Sequence, residues 1–255
     1  MYTVDMSRKE IIYSVLSLVV IIVVGLLISY THKRPSIPTH IQKVVSIPTT
    51  ITSSTVTEEN YTGMRPVIEG NSILANAARE YVDSEFRTFS TTANQDVPEM
   101  KKQFGPDGAF THYTLDITAD DTKANGYESI ILNSYAYTGG ANGMSSYKVF
   151  TADSTTGNMV TLADIIPQEK QNIFSTLVKE KLLTYKGEGD TTGQNPVTFA
   201  DDVNKLTFDS FSNWSITDDA LVLYFDKYEV APGAVGAFTI TIPLSELSSI
   251  VRLHI

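Results

Sequence analysis

Twenty consecutive residues without a charge, Ile11 to Tyr30 (IIYSVLSLVVIIVVGLLISY), constrain this chain more than any other feature. At about 1.5 Å of rise per residue, a helix over this run is about 30 Å long, the thickness of a bilayer's hydrocarbon core. Val, Ile and Leu make up most of it, and Ser14, Ser17 and Ser29 are its small polar residues. A helix that satisfies its own backbone hydrogen bonds therefore leaves nothing costly in lipid. A core helix of a globular domain would carry a polar face, which this run lacks. A cleavable leader would be shorter, with small residues at its cut, whereas LISYTHKRP follows here with Ile28, Tyr30, His32, Lys33 and Arg34. The run predicts a retained single-pass transmembrane helix with Tyr30 at headgroup depth.

Arg8 and Lys9 precede the span and Lys33 and Arg34 follow it, so charge bias does not orient it. The ten residues Met1 to Glu10 are too few to fold, which assigns the chain's action to its C-terminal part. Between the two, residues 31–66 are rich in Ser, Thr and Pro with isolated Val and Ile, and they lack helical periodicity. SIPT occurs twice, at Ser36 to Thr39 and Ser46 to Thr49, and each proline stiffens the chain toward an extended conformation. The expectation is a stalk holding the folded part on the order of 100 Å from the membrane when extended. The predicted organisation is thus a short end at 1–10, a membrane helix at 11–30, a stalk at 31–66 and a folded domain at 67–255.

That domain is acidic, with 25 Asp plus Glu against 13 Lys plus Arg from Val67 to Ile255, a net charge of −12. Nucleic acid is excluded as a partner by the missing basic face. A cationic ligand would be attracted, although acidity also serves solubility alone. There are no cysteines, which removes disulfides, thiolate nucleophiles and Cys-based zinc sites together. A region of this length buries a core without such staples.

Its apolar periodicity predicts a helix from about Asn71 or Ser72 to Phe89, with Asn71 as N-cap and Leu74, Ala78, Val82 and Phe86 inward. Alternation predicts strands at Thr111 to Thr118 and Glu128 to Tyr137, and a hairpin joining Tyr147 to Asp153 with Val160 to Leu162 through Thr155, Thr156 and Gly157. A second helix, Gln168 to Tyr185, presents Phe174, Leu177, Val178 and Leu182 to a core. Trp214 to Ile216 and Ala220 to Asp226 pair around a turn at Asp218 and Asp219, Ala237 to Ile242 follows, and a short helix spans Leu244 to Ile250. The predicted class is α+β with a mainly antiparallel sheet and two principal helices.

Chemistry-bearing clusters are sparse. His32 and His40 fall in the stalk and His254 at the tail, leaving His112 in a strand with no serine or aspartate partner to read. No HExxH or CxxC spacing occurs, so no metal or cofactor is expected. Asp121 to Gly126 (DTKANG) imitates the start of a calcium loop, but Lys123 takes a ligand position and a turn fits better. Gly187, Gly189 and Gly193 follow a helix, where they set no amides around a phosphate. Asp201 with Asp202 and Asp218 with Asp219 read as turns rather than as a glycosidase pair. Asn60 and Asn213 begin sequons, which act only in a eukaryotic secretory pathway.

Two segments stand apart. Tyr135 to Gly143 (YAYTGGANG) sets Gly139, Gly140 and Gly143 directly after a tyrosine-rich strand, a pattern for a tight structural turn with polar Thr138 and Asn142 at its tip. Leu221 to Ile242 (LVLYFDKYEVAPGAVGAFTITI) runs a strand into Asp226, Lys227, Tyr228 and Glu229 and returns through small residues, a polar and aromatic shelf.

YTGGANG, TTGNMVTLADII, an amphipathic helix and ITDDALVLYFDKYEVAPGAVGAFTITIPLSEL, in that order over about Val67 to Ile250, resemble a bacterial extracytoplasmic domain family. It is known from the sensor domain of lysozyme-responsive anti-sigma-V factors and from the non-catalytic N-terminal domain of a peptidoglycan deacetylase. Its usual signatures are approximately YTGGAHG and LVFYFxxYEIAPYAAGxxxVxIP. The resemblance implies an α+β fold of two small subdomains, one similar to a subdomain of the heat-shock-cognate ATPase, without nucleotide binding. It also implies a domain outside the membrane and a cytoplasmic end at 1–10. Asn142 stands where His is common and Gly233 where Tyr is common, so contacts through those side chains are not carried over. Met1 to Glu10 lacks an anti-sigma domain and no deacetylase domain is read, so neither activity is implied.

The expectation is a membrane-anchored, extracytoplasmic, non-catalytic binding domain for a cell-wall component such as peptidoglycan or for a basic lysozyme-like protein. Tyr137, Asn142, Asp226, Tyr228 and Glu229 are the expected ligand-binding residues. The alternatives are a structural or assembly domain of the envelope, or a carboxylate-dependent wall hydrolase. The oligomeric state stays open.

Overall fold

Five strands and one long helix make the first layer pair. The structure, a computed structural model, describes residues 49–108, 110–187 and 196–253. The expected membrane helix at Ile11 to Tyr30, the end at 1–10 and most of the stalk lie outside the described residues. Among those described, no helix is long and apolar enough to cross a membrane.

The strands are β1 (Thr50–Thr57), β2 (Tyr61–Glu69), β3 (Tyr113–Ala124), β4 (Tyr127–Tyr137) and β5 (Met144–Asp153), hydrogen-bonded in that order. All neighbours are antiparallel except β2 and β3, which run parallel over Tyr61 to Met64. A parallel pair needs a crossover, and the helix α1 (Ile73–Phe104) supplies it. The sheet is therefore mixed, with one parallel register inside an otherwise antiparallel order.

β1 and β2 correct the stalk expectation. Residues 50–66 are not a spacer but two strands of this sheet, so the folded part begins some seventeen positions before Val67. TITSSTVT is polar because it is an outer strand, where only Ile51 and Val56 are half-buried against the core. Its Thr and Val content favours strand just as strongly as its polarity suggested a stalk. Gly63 lets β2 lie against β3, because a Cβ there would run into the backbone carbonyl of Leu115.

Ser72, not Asn71, caps α1 by accepting the Ala75 N–H at 3.0 Å. The helix also continues fifteen residues past Phe89. Its buried stripe goes on as Phe89, Ala93 and Val97, at four-residue steps but in small side chains that barely mark a periodicity. Leu115, Ile117, Ile130, Leu132 and Ala152 meet this stripe from the sheet and form one core.

The opposite face of the sheet carries a second core. There β6 (Trp214–Ile216), β7 (Ala220–Phe225) and β8 (Phe238–Pro243) form an antiparallel sheet, backed by α3 (Gln168–Leu183) and the shorter α2 (Leu162–Ile165), α4 (Ala200–Lys205) and α5 (Leu244–Leu247). Phe174, Val178 and Leu182 of α3 are fully buried there with Trp214, Phe225 and Ile242, as the helical spacing predicted. DTKANG resolves into the end of β3 and a two-residue turn, Asn125 and Gly126, both at positive φ (50° and 82°), the hairpin geometry Asn-Gly favours.

Candidate functional site

Each of the two singled-out segments ends a strand in a loop whose shape a glycine decides. After β4 the chain turns at Gly139, whose φ is 81° and whose missing Cβ would strike the backbone of Phe110. Gly143 is buried under the ring of Tyr135, which occupies the place a Cβ would need. Gly140 is exposed, with room for a Cβ, so only two of the three glycines are demanded by the turn.

After β7 the loop closes on itself. The Asp226 N–H donates to Glu229 Oε2 at 2.8 Å and the Glu229 N–H donates to the Asp226 carbonyl at 3.1 Å. Tyr228 between them takes a φ of 69°, unusual for a bulky residue and a sign that the surroundings hold its side chain where it is. Its ring lies over Gly233, at the position where a Cβ would be. Tyrosine at 233, common in the signature, has no room beneath this ring. Tyr228 is 54% exposed and Tyr135 is 41% exposed, so both seated rings face solvent.

Three bonds join the loops. Lys227 Nζ donates to the Gly143 carbonyl at 2.6 Å, the Lys227 N–H donates to Ser145 O at 3.0 Å, and the Tyr147 N–H donates to Asp226 Oδ1 at 2.7 Å. Lys227 Nζ also stands 5.1 Å from the centre of the Tyr228 ring, within cation–π range. Further along β5, Asn213 donates from Nδ2 to Tyr147 O at 3.0 Å and accepts the Val149 N–H on Oδ1 at 3.1 Å. Side chains of the second sheet thereby cover a strand edge that would otherwise present bare peptide groups.

The electrostatics follow from this engagement. Burial pushes the Asp226 carboxyl above its ordinary value, against the opposing pull of the Tyr147 N–H and the Lys148 charge. Glu229, though exposed as a residue, turns its carboxylate back into the loop, and desolvation there raises it despite the Asp226 N–H. Burial, with the charges of Glu85 and Asp226, lifts the α1 residue Tyr81 to about 12. A carboxyl raised on folding adds stability at low pH and loses that contribution as pH rises through its folded value. Asp226→Asn keeps the acceptor for Tyr147 and removes the charge. It is expected to hold or raise stability at neutral pH and to remove the gain that a raised Asp226 is expected to contribute as pH falls from neutral to about 4. Urea midpoints of both chains across that range check this, and an unchanged pH slope would contradict it.

Of the expected ligand-binding residues, Asp226 and Tyr228 meet in the joined loops, and Glu229 serves the loop's closure. Asn142 is exposed at the tip of the first loop. Tyr137 ends β4 opposite Thr114, half-buried, on the same strand face as Tyr135. Tyr135, Lys227 and Asn213 were not anticipated as a group. Tyr135 had a readable signal, an aromatic two residues from Tyr137 on the side not covered by α1, whereas the pairing of Lys227 with Gly143 spans 84 positions.

His112 is exposed. Asp219 accepts from Thr217 in a turn, as expected, whereas Asp201 and Asp202 correct their reading as a turn: they form the first turn of α4, where Asp202 pairs with Lys205. No group of His, Cys, Asp and Glu among the described residues is disposed to hold a metal.

Residues 163–245 match the model of a family described as "Protein of unknown function (DUF3298)". Among curated proteins, the peptidoglycan-N-acetylmuramic acid deacetylase PdaC of Bacillus subtilis is 26% identical over 199 residues, covering 76% of this chain and 39% of that protein. The esterase Rv3036c of Mycobacterium tuberculosis is 25% identical over 145 residues, covering 53% of this chain and 59% of that protein. The chain thus spans about two fifths of one relative and three fifths of the other. A DUF3298-family crystal structure from Bacteroides fragilis superposes with a TM-score of 0.54 at 16% identity, covering 80% of this chain and 92% of that one, a likeness of fold. Both signatures of the resemblance fall on this α+β scaffold, and the chain carries a DUF3298 domain at residues 163–245.

Proposed function

We propose that this chain is a non-catalytic recognition protein, held at the outer face of a bacterial membrane by Ile11 to Tyr30, that binds a cell-wall component or a basic lysozyme-like protein through its joined loops. The observation that carries the reading is the pair of exposed tyrosines, Tyr135 and Tyr228, each seated on a glycine and linked through Lys227. A protein rarely holds a bulky residue at positive φ and leaves it facing water without a use for it. The carboxylates nearby, Asp226 and Glu229, are spent on backbone N–H groups, which suits a binding surface better than a hydrolase. The named substrate of the Bacillus relative lends weight to the wall as a ligand. The charge of −12 over 67–255 suits a basic protein, through long-range steering that weakens with salt.

The test is retention of the full-length chain, in mild detergent, on purified peptidoglycan sacculi and on immobilised lysozyme at low and high salt. At least one should retain the native chain at both salt concentrations. Alanine at Tyr137, Asn142, Asp226, Tyr228 and Glu229 together should release it. A native chain that binds neither support, or an alanine chain that binds as well as the native, would sink the proposal.

A further inference from the structure

We infer that the joined loops take a linear polysaccharide strand carrying acidic or acetamido substituents, with sugar rings stacked on Tyr135 and Tyr228 and a substituent on the Lys227 ammonium between them; this rests on the recognition role proposed above. The seats of the two rings are the first reason. The phenol end of each ring occupies the place of a glycine's Cβ and so packs against backbone, while the residues remain 41% and 54% exposed. Flat aromatic faces of this kind suit the C–H faces of sugar rings, since apolar contact is gained while the hydroxyls at the ring's rim stay in water.

The second reason is the charge between them. Lys227 Nζ donates to Gly143 O at 2.6 Å and stands 5.1 Å from the Tyr228 ring, so the cation–π position at that ring is already taken by the protein's own ammonium. An arginine or lysine of a basic partner would meet like charge there. An ammonium has three donors and one is used, which leaves two for a carboxylate, a hydroxyl or an amide carbonyl. Asp226 and Glu229 have carboxylate oxygens engaged by the N–H groups of Tyr147 and Asp226, whereas Lys227 keeps donors to offer. Although the domain as a whole is acidic, the unused donors of Lys227 favour a ligand that brings acceptors to the loops.

The third reason is the run of contacts. Tyr135 touches Gly143, Gly143 bonds Lys227, and Lys227 stands beside Tyr228, whose phenol end meets Gly233 while the residue stays exposed. The site is a strip with exposed Asn142 beside it, suited to successive units of a chain.

Calorimetric titration of the full-length chain in mild detergent uses three probes: soluble carboxylate-bearing peptidoglycan strands, neutral N-acetylglucosamine oligomers of two to six units, and lysozyme. Strands and oligomers should bind, the oligomers more tightly with length. Tyr135→Ala and Tyr228→Ala should each weaken binding about ten-fold, a difference of about 1.4 kcal/mol. Gly143→Ala and Gly233→Ala should act alike, since each pushes a ring off its seat without changing charge. Lys227→Met should weaken the carboxylate-bearing strands more than the neutral oligomers. Thermal unfolding is followed for each variant, and if a glycine variant fails to fold, the two alanine variants at exposed tyrosines decide. Binding of lysozyme with no binding of either glycan overturns the glycan inference and leaves the recognition role standing. Binding of none of the three removes both. Glycan binding that survives loss of both tyrosines overturns the placement.

Discussion

Truncating Phe174 to alanine is expected to lower the free energy of unfolding by about 3–5 kcal/mol, a large part of what a domain of this kind has to lose. The side chain is fully buried, and its ring meets Phe208 at 6.0 Å and Phe211 at 5.9 Å, both edge to face. From Phe211 the contacts continue to Phe225 at 6.5 Å, then to Phe238 at 5.4 Å and Tyr185 at 4.7 Å, the last two stacked. Removing the first ring opens a cavity whose neighbours are themselves large and interlocked, so the site has little means of collapsing. Phe225 immediately precedes Asp226, which means that the same aromatic file sets where the second loop leaves β7. Phe174→Leu, close in volume, should cost less than about 1.5 kcal/mol. Urea unfolding of both variants measures the difference, and comparable losses for Ala and Leu would refute a cavity as the cause. Glycan or lysozyme binding by the leucine variant should stay near native, because the loops keep their seats.

What could be read from the chain, and what could not, divides along the range of the interactions. α3 was legible because Phe174, Val178 and Leu182 recur at helical spacing and the polar residues between them leave no other face to bury. The β3 to β4 hairpin was legible in part, since Asn125 and Gly126 are the residues a two-residue turn demands. β1 was not, because an edge strand with one side to water needs little apolar content, and TITSSTVT offers only Ile51 and Val56. The far half of α1 escaped for a related reason: Ala93 and Val97 bury without announcing a periodicity, and Pro98 is a residue that normally ends a helix. In the candidate site, the glycines and Tyr228 were visible as local anomalies. Glu229, expected as a ligand contact, also holds its own loop by accepting the Asp226 N–H, a role that depends on where its carboxylate points and not on its type. Lys227 and Asn213 carry nothing unusual in sequence, and their partners in the first loop and β5 are reached only through the packing of one sheet on the other.

Asn213 is where that packing should be most sensitive. Asn213→Asp keeps the shape of the side chain but replaces the Nδ2 donor to Tyr147 O with an oxygen, so a 3.0 Å hydrogen bond becomes a repulsion between two acceptors. The Oδ1 bond from Val149 N at 3.1 Å survives, now beside a half-buried negative charge. Asn213→Ala loses both bonds and leaves a carbonyl and an N–H of β5 without them. Each variant is expected to cost about 2–4 kcal/mol, since a buried polar group left without its partner costs more than the bond itself contributes. The backbone of Asn213 is fixed independently by its carbonyl, which accepts the Tyr224 N–H at 3.0 Å, so β6 and β7 should stay paired while β5 loosens from them. Hydrogen exchange should accordingly quicken at the amides of Tyr147 and Val149 more than at those of β8. Loosening β5 also slackens the ties from Lys227 to Ser145 and Gly143, so the ligand should bind more weakly although Asn213 lies outside the tyrosine strip. A variant with native affinity and fast exchange at Tyr147 would show instead that the loops hold their geometry without the strand edge, through Lys227 alone.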